Sequence, residues 1–142
     1  MKTSESRYNQ CIYFVSNALA RKVEKLAIDV WKQVDLSPSH AYLLMITLQE
    51  PGVQPGTLSD ELNLKPSTVT RLIEKLEEKK LVVRTNEGKT TNVYPTPKAK
   101  NLFPQLQQCS QAFCKEYEAV LGKEESKRLV NGMKHIADKL GD

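Results

Sequence analysis

The residues of this chain that are best suited to chemistry lie between Lys65 and Lys89, and their types are those that contact nucleic acid. Arginine can donate two hydrogen bonds to the edge of a guanine, the commonest base-specific contact in the major groove. Serine and threonine are short, neutral donors and acceptors that let a helix lie close to the bases, and lysine contacts phosphates. We therefore predict contacts to double-stranded DNA from Lys65, Ser67, Thr68, Thr70, Arg71, Lys75, Arg84 and Lys89.

A helix from Pro66 to about Lys80 is predicted to hold most of these side chains on one face. Its apolar residues recur at helical spacing and should pack inward from the opposite face: Val69, Leu72, Ile73 and Leu76. A shorter helix from Pro55 to about Leu62 precedes it, with Leu58 and Leu62 in the core and Leu64 filling the turn. This arrangement is typical of a helix-turn-helix whose second helix enters the major groove. For an isolated helix, an ordinary solvated face would be the better interpretation.

A β-hairpin, or wing, is predicted to follow directly. Leu81-Val82-Val83 is a short, largely β-branched run that suits a strand, residues 86–89 carry a turn signal, and residues 90–94 form the return strand. The basic tip, Lys89, can reach the minor groove or its phosphates. An ordinary solubilising turn residue is the alternative interpretation of this lysine.

Positive charge is concentrated in the same part of the chain. Residues 65–100 carry nine Lys and Arg against four Asp and Glu, whereas the whole chain carries 21 against 17, so the segment is +5 and the remainder −1. A solvated surface would scatter this excess, whereas an electrostatic footprint for nucleic acid concentrates it.

The remaining helices carry more apolar surface than a helix-turn-helix needs. An apolar stripe predicts a helix from about Glu5 to Trp31, and further helices are predicted from Pro38 to about Gln49, from Pro97 to about Leu121 with a possible kink at Pro104, and around residues 129–140. Such surface usually forms a plain core, but helices outside the helix-turn-helix also fit a homodimer interface. A two-fold dimer predicts a pseudo-palindromic operator with half-sites about one helical turn apart.

The stretch LSDELNLKPSTVTRLIEKLEEKKLVVR resembles the MarR (multiple-antibiotic-resistance regulator) family of winged-helix transcription factors. The resemblance implies a mainly α fold with a small β-wing in one domain, residues 1–142. In that domain, residues 37–96 would form the winged helix-turn-helix, and residues 5–35 and 97–142 the dimerisation helices. It also implies a dimeric repressor released by a small ligand or an oxidant. The family wing usually has an Asp-x-Arg tip, whereas this chain has the shorter NEGKTTN, so Lys89 is only a substitute for that arginine.

The resemblance further implies a ligand pocket between the dimer helices and the helix-turn-helix, which Trp31, His40 and Tyr42 could line. Ordinary packing is the alternative role for these three residues. Cys11, in QCIYFVSNAL, is similar to the N-terminal cysteine region of the peroxide-sensing branch of the family, which makes it a candidate redox sensor; a buried, inert thiol is the commoner case.

Other classes of function have little support in the sequence. His40 and His135 stand far apart without further ligands at metal spacing, so no metal site or cofactor is expected. Phosphate-binding glycine loops, nucleophile elbows and spaced carboxylate pairs are missing, so no enzymatic activity is expected. No apolar run predicts a signal peptide or membrane span, and we expect a cytoplasmic protein. The alternative to a DNA-binding regulator is a winged-helix module that binds protein and not DNA.

Overall fold

Six α-helices and one two-stranded antiparallel sheet form the computed structural model, which describes residues 1–141. This confirms the predicted mainly α fold with a small β-wing. None of the helices in this range is long and apolar enough to cross a membrane. The elements are α1 Ile12–Trp31, α2 Pro38–Gln49, α3 Pro55–Leu62, α4 Pro66–Glu78, β1 Val82–Glu87, β2 Thr90–Pro95, α5 Pro97–Leu121 and α6 Lys123–Leu140.

Proline marks the start of four of the six helices. It occupies the first helical position of α2 to α5, where its missing N–H costs no helical hydrogen bond and its fixed φ suits the helix. Ser37 and Thr96 add side-chain caps, accepting hydrogen bonds from the backbone N–H groups of His40 and Ala99. The sequence therefore fixes the first residue of these helices closely. Helix α5 continues through Pro104.

Three predicted boundaries were wrong. Helix α1 begins at Ile12 and not near Glu5, because Tyr8 matches the apolar spacing but lies in a turn, where its ring packs against Phe14 at 6.2 Å between centroids. Helix α4 ends at Glu78 and not Lys80. The first wing strand extends to Glu87, so the connecting loop is only Gly88-Lys89 and not residues 86–89, while the return strand begins at Thr90 as predicted.

The core lies between the second half of α1 and helices α2 to α5, closed by the base of the wing. Its largest fully buried apolar side chains are Trp31, Leu43, Leu44, Leu58, Ile73, Leu76 and Leu106. The first half of α1 and all of α6 contribute no apolar residue to this core. The winged helix-turn-helix therefore shares one packed core with the second half of α1 and with α5.

The wing is tied to the loop between α2 and α3. Val53 forms a β-bridge with Val93 of β2, and Gly52 N–H donates to the Val93 carbonyl at 2.8 Å. Gly52 also has φ +92, and a Cβ there would stand 3.1 Å from the hydroxyl oxygen of Tyr94. Only glycine combines this backbone conformation with so close an approach to the Tyr94 ring.

We predict that Gly52→Ala lowers the free energy of unfolding by about 1–3 kcal/mol, because it adds left-handed strain and crowds Tyr94. Urea unfolding of both proteins measures the difference. Gly56→Ala is the matched control: it lies within α3 with no atom near its added methyl group and should be neutral or slightly stabilising. Equal stability of the Gly52 variant and the wild type would contradict this role.

Candidate nucleic-acid interface

Helix α4 divides cleanly into a buried face and an exposed face. Val69, Ile73 and Leu76 are 0–1% exposed, and Leu72 is half-buried against the same core. The residues that turn away from the core are Ser67, Thr70, Arg71 and Lys75, all exposed, with Thr68 half-buried on the flank. The structure therefore brings five of the eight predicted contact residues onto one helix surface.

The turn between α3 and α4 is fixed by local hydrogen bonds. Ser59 Oγ donates to the Leu64 carbonyl at 2.5 Å, and the Leu64 N–H donates to the Ser59 carbonyl at 3.1 Å. Asn63 adopts the left-handed conformation at φ 53, which asparagine tolerates better than most residues. The half-buried side chain of Leu64 packs against the core, as predicted. These contacts set the angle at which α4 leaves α3.

The start of α4 is open to an anion. Lys65 occupies the N-cap position and makes no side-chain cap, so the first N–H groups of the helix, at Ser67 and Thr68, lack a side-chain acceptor. Thr70 Oγ1 donates back to the Pro66 carbonyl at 3.0 Å, which leaves its oxygen free to accept. A phosphate near Lys65 would meet both the helix N-terminus and an ammonium group.

The end of α4 is held by a network that the sequence did not reveal. The N–H groups of Lys80 and Leu81 donate to the carbonyls of Glu77 and Leu76, the pattern of a Schellman motif. Thr96 Oγ1 donates to the Lys80 carbonyl at 2.8 Å, and Lys98 Nζ donates to the Lys79 carbonyl at 3.0 Å. The first turn of α5 thus caps the C-terminus of α4.

Several cations of the basic segment are paired within the chain. Lys79 Nζ lies 3.1 Å from Asp35 Oδ2, and Arg84 Nη2 lies 2.8 Å from Glu77 Oε1. Lys75 pairs with Glu78 at 3.4 Å, but both side chains are more than half exposed, so this contact is weak. Within residues 1–141, no ion pair involves Lys65, Arg71 or Lys89. Fewer cations are therefore available to a ligand than the nine Lys and Arg that residues 65–100 contain.

The wing tip exposes Lys89 beside an acidic residue. The Tyr94 hydroxyl donates to Glu87 Oε1 at 2.9 Å, and this hydrogen bond raises the pKa of Tyr94 above its ordinary value. The loop places Gly88 at φ +68 immediately before Lys89. Lys89 is thus presented on the two-residue turn at the tip of the wing.

Two of the three residues predicted to line a ligand pocket pack against each other, and the third lines a cavity. Trp31 is fully buried in the core and lines neither of the two cavities described for residues 1–141, so its role in a ligand pocket stays a prediction. Tyr42 packs edge-on against Trp31 at 5.6 Å and also lines neither cavity, and burial raises the pKa of its hydroxyl. This contact is the ordinary packing that the sequence left open as the alternative role of both residues.

His40 does line a cavity, of about 420 Å³. Residues from α1, α2, α4 and the connection after α1 surround it: Ile28, Asp29, Lys32, Asp35, Leu36, Ser37, His40, Lys75 and Lys79. Burial, then the positive charges of Lys79 and Lys75, lower the pKa of His40. His40 Nδ1 also forms a hydrogen bond with Ser37 Oγ. The cavity therefore adjoins the end of α4.

The three cysteines are free thiols in different surroundings. Cys11 is exposed at the N-cap of α1, which excludes the interpretation of this residue as a buried, inert thiol. Cys109 is buried and approaches the Val30 carbonyl at 3.8 Å, and Cys114 contacts Glu118 at 3.0 Å. No cluster of three or more His, Cys, Asp or Glu within residues 1–141 could hold a metal ion.

Comparison with known sequences points to one family. Residues 34–90 match the family model described as MarR family. The HTH-type transcriptional repressor MdtR of Bacillus subtilis (strain 168) is 24% identical over 76 residues, which cover 54% of this chain and 49% of that repressor. The chain therefore matches about half the length of this relative.

Solved structures share the fold over nearly the whole chain. A MepR–DNA complex of S. aureus superposes with a TM-score of 0.77 at 18% identity, covering 89% of this chain and 96% of that one. CouR from Rhodococcus jostii RHA1, bound to p-coumaroyl-CoA, superposes with a TM-score of 0.75 at 20% identity, covering 95% of each chain. These likenesses confirm the winged helix-turn-helix fold.

Lys80 closes the Schellman motif with φ +62, a conformation that is strained for any residue with a Cβ. We predict that Lys80→Gly raises the free energy of unfolding by about 1 kcal/mol. Urea unfolding tests this against Glu78→Gly, which lies in the last turn of α4 and should lower stability by a similar amount. Destabilisation by both substitutions would contradict the role of the left-handed cap.

Proposed function

We propose that this chain, whose residues 34–90 match the MarR family model, is a homodimeric transcriptional regulator that binds double-stranded DNA. One observation carries the proposal. Helix α4 buries its apolar stripe and presents Ser67, Arg71 and Lys75 to solvent next to a wing that ends in Lys89. A small polar surface with one unpaired arginine suits the major groove.

The proposed contacts follow from what each group can donate or accept. Arg71 offers two hydrogen bonds to a guanine edge, and the oxygens of Ser67 and Thr70 are short enough to meet neighbouring bases. Lys65 and the open start of α4 would hold a phosphate, with Thr68 on the flank. Lys75 and Lys89 would contact phosphates without reading sequence.

Repression is the proposed direction of regulation. The B. subtilis relative MdtR is described as a repressor, and MepR of S. aureus was solved bound to DNA. A protein that occupies a promoter through a groove-binding helix and a wing can exclude other proteins from the same DNA. The cytoplasmic location stays a prediction.

A second copy of the chain is the proposed partner for the exposed apolar faces of α1, α5 and α6. These helices surround an apolar cavity of about 660 Å³, lined among others by Leu19, Val23, Phe113, Leu129 and Met133. Leu19, Val23, Leu129 and Met133 are exposed, between 36% and 45%. Contiguous apolar surface of this kind is typical of an interface, and two-fold dimers are the commonest oligomers.

A small effector is proposed to act through the cavity beside His40. An occupant there would touch Lys75 and Lys79 of α4 together with residues from α1 and α2, so it could bias the position of the DNA-contacting helix. CouR was solved with p-coumaroyl-CoA, which supports ligand control on this fold. The oxidant-sensing role of Cys11 stays a prediction, supported by its exposed thiol.

We predict that Arg71→Ala weakens binding to the preferred duplex by about 1–3 kcal/mol and relaxes base preference, because it removes a base-edge donor. Lys89→Ala should instead weaken all duplexes about equally and reduce the slope of log affinity against log salt by about one. Fluorescence anisotropy with labelled duplexes, over a salt series, measures both quantities.

Lys115→Ala, exposed on α5 outside residues 65–100, is the control and should leave affinity and slope unchanged. If the wild-type protein binds no duplex in a salt-dependent manner, the proposal fails. Co-purification of a stoichiometric protein partner in that case would support the alternative, a winged-helix module that binds protein.

We predict that Val23→Glu raises the dimer dissociation constant at least about tenfold, because it removes buried apolar area and places a charge in the interface. Sedimentation equilibrium should give twice the 16.1 kDa chain mass for the wild type and a lower average for the variant. Val83→Glu is the matched control, since Val83 is 47% exposed on the wing and Val23 is 45% exposed on α1. A monomeric wild type would contradict the dimer.

A further inference from the structure

The contact between Arg84 and Glu77 links the first wing strand to the helix proposed to enter the major groove. Arg84 Nη2 lies 2.8 Å from Glu77 Oε1, and the two side chains are 35% and 31% exposed. The strand register places Arg84 opposite Val93, which is fully buried, so Arg84 lies on the inner face of the hairpin. Its guanidinium is directed to α4 and not to the tip of the wing.

The two wing strands are anchored differently. Strand β2 is held to the α2–α3 loop by the Val53–Val93 bridge and by Asn92 Nδ2, which donates to the Gly52 carbonyl at 3.0 Å. Strand β1 lacks such a bridge among residues 1–141. Within the same residues, the ion pair that joins β1 to α4 is Arg84 with Glu77. This ion pair therefore helps to hold the angle between the wing and α4.

The pair also changes what Arg84 can offer to DNA. A guanidinium held at 2.8 Å from a carboxylate is nearly neutralised as a unit, so it displaces few counterions from a phosphate. Leaving Glu77 in order to contact DNA would cost the charge-assisted hydrogen bond and leave a partly buried carboxylate unpaired. By contrast, no ion pair in residues 1–141 neutralises Lys89.

We propose that Arg84 is a positioning residue that sets the angle of the wing through Glu77, and that it does not itself contact DNA. The inference rests on the proposed DNA-binding function and revises one of the eight contacts that the sequence predicts. It assigns Glu77, an acidic residue within a basic segment, a favourable role in DNA binding.

The variant Glu77→Gln distinguishes the two roles of Arg84, because each role predicts an opposite change in DNA affinity. If Arg84 positions the wing, Glu77→Gln and Arg84→Gln should each weaken binding by about three- to fivefold, the range of a partly exposed ion pair. If Arg84 contacts phosphate, Glu77→Gln frees its charge and should tighten binding. The salt slope gives a second readout: Arg84→Gln should leave it unchanged, whereas the matched variant Lys89→Gln should lower it by about 0.9.

The double variant Glu77→Arg with Arg84→Glu exchanges the two charges of the pair. Recovery of affinity in this variant would show that the single variants had lost the ion pair and not the fold. With the pair restored in reverse, affinity should return to within about twofold of wild type, whereas a direct contact by Arg84 would not be recovered. Anisotropy titrations on a duplex selected by the wild-type protein give all values, with urea unfolding to verify folding. Tighter binding by Glu77→Gln, or a reduced slope for Arg84→Gln, overturns this inference alone. Absence of salt-dependent binding by the wild type overturns the proposed function and this inference together.

Discussion

Burial of the apolar stripe of α4 is the constraint on which the other features depend. Because Val69, Ile73 and Leu76 are withdrawn from water, the rotation of the helix about its axis is fixed, and with it the set of side chains that face outward. Each buried aliphatic side chain contributes about 1.5–3 kcal/mol, far more than any surface contact of the same helix. The exposed face, with Ser67 and Arg71, is thus a consequence of the core.

Electrostatics then divides the basic segment into two sets with different roles. Lys79, Arg84 and Lys98 hold the end of α4 against the loop after α1, the wing and the start of α5. Lys65, Arg71 and Lys89 make no ion pair within residues 1–141. The first set orients the surface and the second supplies charge to a ligand. The count of nine Lys and Arg in residues 65–100 therefore overstates the number of cations that are free to meet DNA.

The sequence predicted those features that depend on local periodicity or on proline. The inward stripe of α4 and the starts of α2 to α5 belong to this class. Features set by tertiary packing escaped prediction. The partner of Arg84 depends on strand register, and the end of α4 depends on a lysine in a conformation that usually signals glycine. Tyr8 matched the helical spacing but lies in a turn.

Selection of bound duplexes from a random library by the wild-type protein tests the central claim most directly, because it requires no knowledge of the target genes. A dimer that presents α4 from each copy should enrich a pseudo-palindromic sequence with half-sites about one helical turn apart, roughly 10 base pairs between centres. Its affinity should fall steeply as salt rises. Recovery of no preferred sequence, or of a single half-site without symmetry, would contradict this account.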